Sequence, residues 1–194
     1  MADKVGVFKR LGYSTTGAGT ATTEFQFMEG STLGLTEQFL DTNEIRGDLS
    51  HTSERVRRGT RRVDGRIQMC PTPVELAVLL PWIYGAANAG TSFPLGTATT
   101  LVDLFGTRDG TVYTYDECGV ESVTFSASEG GFLQMSMSVI GKDETQAGSM
   151  GSLAPDVTTQ PFVLSDLSLS VASSTREVSA FELTISTPLE VKYR

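Results

Sequence analysis

Histidine is almost absent from this chain: His51 is the only one in 194 residues, and no cysteine or serine elbow lies near it. A single histidine cannot build a two-histidine metal site, and a nucleophilic triad would need it buried beside a carboxylate. Cysteine is nearly as scarce. Cys70 and Cys118 lie far apart without CxxC spacing, so a metal site and a structural disulfide are both disfavoured, and two half-buried thiols are expected. No apolar run approaches the roughly 18 residues that cross a bilayer, and the opening MADKVGVFKRLGYSTTG lacks the apolar centre of a signal peptide. These absences predict a soluble protein made in the cytoplasm, with no membrane partner. Gly17-Ala18-Gly19-Thr20 is not followed by the Lys-Ser/Thr of a phosphate loop. The acid pairs Asp116-Glu117 and Asp143-Glu144 fall at turn-like positions, where solvated charge is the default. No catalytic residue, metal ligand or cofactor is predicted, and the chain is not expected to be an enzyme.

The residues that are present favour β-structure. Glycine, threonine, serine and phenylalanine are frequent and long helix formers few, which suits short strands joined by turns. Phe25 and Phe27 alternate with Glu24 and Gln26, and an extended piece runs from Leu33 to Phe39. Asp109-Gly110 marks a hairpin between Thr99–Phe105 and Thr111–Tyr115. Val123, Phe125 and Ala127 alternate with Ser122, Thr124 and Ser126. After a turn at Glu129-Gly130-Gly131, Leu133, Met135, Met137 and Val139 alternate with Gln134, Ser136, Ser138 and Ile140. A second polar loop, Glu144 to Thr159, precedes FVLSDLSLSVAS and VSAFELTIST, which complete the strand-like segments.

One helix is predicted. Thr72-Pro73-Val74-Glu75 supplies a capping hydroxyl, a first-turn proline and a glutamate that reaches back to the cap. Leu76, Leu79, Leu80 and Ile83 form its apolar stripe, and Pro81 is expected to kink or end it. Trp82, the only tryptophan, and Tyr84 are expected under the sheet. The sum is eight or nine strands and a helix: a mostly β fold, a β-sandwich or split barrel with one flanking α-helix. Residues 1–22 are expected to form an N-terminal arm and residues 23–194 the β domain, with a long polar loop at 41–62.

Charge is spread unevenly. Residues 1–66 hold ten Lys/Arg against nine Asp/Glu, while residues 67–194 hold five against fourteen. Seven arginines, Arg46, Arg55, Arg57, Arg58, Arg61, Arg62 and Arg66, fall between Leu35 and Ile67. A solvated loop with scattered ion pairs accounts for them at one extreme, each pair worth roughly 0 to 1 kcal/mol. Alternatively they pair with Glu37, Asp41, Glu44 or Asp48, or with the acidic second half of another copy. A basic first half and an acidic second half suit a head-to-tail contact between copies, which generates rings or open stacks. An acidic surface repels DNA phosphates, so sequence-specific duplex binding is disfavoured.

In order along the chain stand EQFLDTNEIRGDL, the arginine-rich stretch, V-x-G-R-I and P-x-E-L-x-x-LL-P-W-x-x-G, then TVYTYDECGVESVTFSASEGGFLQMSMSVIGKD and DLSLSVASSTREVSAFELTIS. This succession resembles the tail tube (major tail) proteins of long-tailed bacteriophages, from about Thr23 to Ile185. The resemblance implies a structural virion protein. Six copies would close into a ring around a continuous inner barrel, and the rings would stack into a conduit for genome delivery. It makes residues 41–62, with Arg55, Arg57, Arg58, Arg61 and Arg62, a stacking element, and the N-terminal arm a second one. Gln134, Ser136 and Ser138, or Ser122, Thr124 and Ser126, become candidates for the lumen wall. The implied partners are other copies of the chain, a tape-measure protein in the lumen, and double-stranded DNA in transit without specific binding. The resemblance also implies further sequence after FELTIST, whereas this chain stops at Arg194 on the strand-like LEVKYR. A tail terminator, or another ring at the end of the tube, is the alternative within the virion. A ligand-binding β-sandwich module is the alternative from another class.

Overall fold

The computed structural model describes residues 9–41, 56–87, 96, 98–187 and 189. Among these residues the chain forms eleven strands and one α-helix. In order they are β1 (Arg10–Thr15), β2 (Thr23–Phe25), β3 (Thr32–Asp41), β4 (Val56–Met69), α1 (Pro73–Tyr84), β5 (Val102–Arg108), β6 (Thr111–Ser128), β7 (Gln134–Gly141), β8 (Asp143–Thr145), β9 (Leu169–Val171), β10 (Ser174–Arg176) and β11 (Ala180–Ser186). The expected β-sandwich with one flanking helix is what forms.

Strand β6 belongs to both layers. Its first half pairs with β5 on one side and β8 on the other, in a sheet that continues through β1 to β2. Its second half pairs with β11 and β7, in a sheet that continues through β4 to β3, and every pairing is antiparallel. The strand changes sheet at a bulge, where Asp103 of β5 stands opposite two residues, Asp116 and Glu117. Glu117 takes a positive φ of 50° there. Asp103, buried to 2% exposure, holds the bend by accepting from the backbone N–H groups of Glu117 at 3.1 Å and Gly17 at 2.5 Å. The hairpin before it turns on Asp109-Gly110, both in the left-handed region, as the dipeptide predicts.

The two sheets and α1 enclose one core, in which Leu11, Phe25, Ile67, Leu79, Trp82, Val102, Tyr115 and Met137 meet. The helix starts as predicted. Glu75 N–H donates to Thr72 Oγ1 at 3.2 Å, and Thr72 N–H donates to Glu75 Oε2 at 2.9 Å. Glu75 Oε1 also accepts from the N–H of Gln26 at 3.0 Å, which ties the helix to the segment leaving β2. The helix passes Pro81, burying Trp82 and Ile83 in its last turn, and ends at Tyr84 where Gly85 turns left-handed with φ 70°. Trp82 Nε1 donates to the Cys118 carbonyl at 3.2 Å and locks that turn to the bend of β6.

Several expectations are corrected. Residues 10–15 of the expected arm are strand β1, with Leu11 in the core and Arg10 paired to Glu24 at 2.5 Å; residues 1–8 lie outside the described residues. Residues 56–62 of the expected loop belong to β4, while 42–55 lie outside the described residues. Ladder hydrogen bonds ignore side-chain polarity, so a hairpin projecting past the core stays paired with both faces wet. Asp116-Glu117 and Asp143-Glu144 sit in β6 and β8 rather than in turns. The segment FVLSDLSLSVAS does not join the main sheets. It forms a single bridge at Val163, a 3-10 turn at Leu164–Asp166, and β9, which pairs only with β10.

Candidate self-assembly surfaces

The hairpin of β3 and β4 carries the arginines. Leu35 pairs with Val63 at the edge of the core, and beyond that rung the ladder continues through Glu37↔Arg61, Phe39↔Arg58 and Leu40↔Arg57, with a bulge between Glu37 and Phe39. Of the predicted stacking residues, Arg57, Arg58, Arg61 and Arg62 are exposed on this extension, and Arg55 lies outside the described residues. Three of them meet carboxylates of their own chain. Arg58 lies 3.9 Å from Glu37, Arg62 Nε 2.9 Å from Asp64, and Arg61 pairs closely with Asp143 of β8. Arg57 has no ion-pair partner among the described residues. These guanidiniums remain largely solvated, so each pair is worth roughly 0 to 1 kcal/mol and can be exchanged for another. Beside the arginines stand two exposed apolar side chains, Phe39 at 60% and Leu40 at 53% exposure. Their isolation from the core is a signal that polarity-based reading of the segment passed over.

The second surface is the outer face of the β11-β6-β7-β4-β3 sheet. Ser122, Thr124 and Ser126 of β6 stand opposite Ser138, Ser136 and Gln134 of β7, and opposite Ser186, Thr184 and Glu182 of β11. The inner positions of the same strands, Val123, Phe125, Met135, Met137 and Val139, are buried. Period-two alternation thus brings Gln134, Ser136 and Ser138 together on one wet face with the β6 hydroxyls. Short polar links cross it: Thr124 Oγ1 to Thr184 Oγ1 at 3.1 Å, Ser138 Oγ to Glu121 Oε2 at 3.1 Å, and Arg66 Nε to Ser136 Oγ at 2.7 Å. Among the described residues this sheet ends at β3 on one side and β11 on the other, and no closed barrel forms.

Between these surfaces, Asp116 of β6 pairs directly with Asp143 of β8. Partial burial raises the Asp116 pKa, and the charges of Asp103, Asp143 and Glu117 raise it further, with Lys142 opposing them. Arg61 on Asp143 and Lys142 on Glu117 supply the compensating positive charge. The group is an electrostatically loaded junction of the two sheets. Among the described residues no cluster of His, Cys, Asp and Glu suits a metal ion. Cys70 and Cys118 are free thiols, one half-buried and one buried.

No curated protein matches the chain. The family model for phage tail tube proteins matches residues 9–194, and through that match, over nearly the whole length, the chain belongs to the phage tail tube protein family, a structural component of the virion that self-assembles into a tube.

Proposed function

We infer that copies of this chain join side by side into closed rings, six to a ring, and that the rings stack into the conduit through which the genome leaves the virion. The observation that carries this reading is the outer face of the second sheet: hydroxyls lie across β11, β6 and β7, and among the described residues the outer edges of its end strands have no partner strand. An unpaired strand edge is a template for backbone hydrogen bonding to another chain. Joining β3 of one copy to β11 of the next satisfies both edges and makes the polar face continuous around a lumen. Gln134, Ser136 and Ser138 would line it, first against a tape-measure protein and later against DNA. A hydroxyl wall whose flanking arginines, Arg66 and Arg62, are engaged by Ser136 and Asp64 gives phosphates little to dock on. The basic β3–β4 extension, with Arg57 and Arg58 outermost among its described arginines, is the stacking element between rings.

Negative-stain microscopy of the purified protein is expected to show tubes, and Arg57→Glu with Arg58→Glu to leave rings that stack poorly, most visibly at low salt. Ser138→Arg is expected to leave the tube intact while making it retain duplex DNA in a low-salt gel shift, where wild-type tubes are expected to retain none. Uniform monomers at high concentration, unaffected by these changes, would overturn the reading. Rings that never lengthen would place the chain at the end of the tube instead.

A further inference from the structure

An apolar cavity of about 240 Å3 opens between the start of α1, the ends of β6 and β11, and the segment at 162–167. Leu76, Ala127, Leu133, Leu164, Leu167 and Phe181 line it. Asp166 is in the lining itself, and the segments that supply the lining, 126–134 and 162–182, carry Glu129 and Glu177 outside it and Glu182 on the sheet's outer face, against Arg176. Phe39 and Leu40 stand at the other end of the same sheet, exposed, on a stretch where Arg57, Arg58, Arg61 and Arg62 outnumber Glu37 and Asp41. The register fixes this opposition. β4 meets the cavity end at Met69↔Met135 and the apolar pair at Arg58↔Phe39, so the two features lie roughly 35 Å apart along the strands at about 3.3 Å per residue.

We propose that Phe39 of one copy inserts into this cavity on a second copy stacked above it, while Leu40, on the opposite face of the strand, packs beside its mouth. The proposal rests on the stacked-ring reading and names the contact that holds one ring on the next. Three observations converge on it. An apolar cavity of about 150 Å3 is enough to take a benzene ring, so this one has room for the phenyl ring of Phe39. A basic protrusion meets an acidic rim, which sets the orientation and disfavours the reverse docking. A protrusion at one end of a sheet and a matching hollow roughly 35 Å away cannot meet within one copy; an antiparallel two-fold pair would use up both ends and stop growth, whereas copies that share one orientation along the tube leave a free end for the next. They make a heterologous contact, which repeats along an axis. Buried aromatic anchors in apolar pockets carry most of the energy of such contacts, while the surrounding charges select the partner.

Two measurements test this. Phe39→Ser is expected to raise the concentration needed for tube growth roughly tenfold, as loss of an aromatic anchor does, with the monomer's melting temperature unchanged because Phe39 is exposed. Phe39→Cys and Leu167→Cys proteins, prepared separately and mixed under mild oxidation, are expected to form a disulfide-linked dimer that neither forms alone. Wild-type protein controls for Cys70 and Cys118. Wild-type tubes together with normal growth of Phe39→Ser and no mixed disulfide would overturn the contact while leaving the tube reading intact. Disulfides between two Phe39→Cys copies only would overturn it in favour of a tip-to-tip pair. Failure of the wild-type protein to form either rings or tubes would remove the reading beneath it as well.

Discussion

At the scale of single residues, two carboxylates are under tension of different kinds. Burial and three neighbouring acids raise the Asp116 pKa. A carboxyl whose folded pKa exceeds its unfolded value supports the fold while protonated, and that support is lost as pH rises through the raised value. At neutral pH the ionised group therefore costs stability. Asp116→Asn is expected to melt above wild type at pH 7, with the difference shrinking as pH falls to about 4, the ordinary aspartate range; thermal melts across pH check it. Glu75 acts through hydrogen bonds, as a buried carboxylate that accepts from the backbone N–H groups of Thr72 and Gln26. Glu75→Ala strands both donors and is expected to cost about 2 to 4 kcal/mol in urea unfolding. Glu75→Gln retains an acceptor oxygen and should cost less.

At the scale of elements, the β3–β4 hairpin depends on one glycine. A Cβ on Gly65 would lie 2.3 Å from the Thr32 carbonyl oxygen and 2.7 Å from Leu33 Cα, backbone atoms that cannot give way without parting the strands. Gly65→Ala is expected to lower stability by about 2 to 3 kcal/mol, measured by denaturant titration, and to weaken assembly because the same hairpin carries the arginines. Helix α1 and the Asp109-Gly110 turn were legible in the chain because their determinants are local: a cap, a proline, a dipeptide needing positive φ. The continuity of β6 was not. Its bend is imposed by Asp103, fourteen residues away from Glu117 in sequence, and no local pattern announces a strand that leaves one sheet for another.

At the scale of the whole molecule, charge is the lever. The chain carries a net charge of −8, with five of its eleven arginines, Arg57, Arg58, Arg61, Arg62 and Arg66, on one hairpin strand. Self-repulsion of the acidic bodies opposes close packing, and arginine contacts to acidic surfaces favour it. Because the hairpin pairs are exposed, raising ionic strength from about 0.05 to about 0.5 M is expected to shorten tubes measurably by microscopy or light scattering. Cys70 and Cys118 are both free thiols, so reductant is expected to leave tube length unchanged in the same assay.

The sequence by itself determined the mostly β class, the single capped helix, and the alternation that puts Gln134, Ser136 and Ser138 on one face. Each follows from a period of two or from residues within one turn of each other. Only the tertiary structure decided that Arg57, Arg58, Arg61 and Arg62 ride on a paired strand, that Arg61 meets Asp143, and that an apolar hollow lies at the opposite end of the sheet from Phe39. Those relations join segments distant along the chain, and they exist only once register and the bend of β6 set which residues become neighbours.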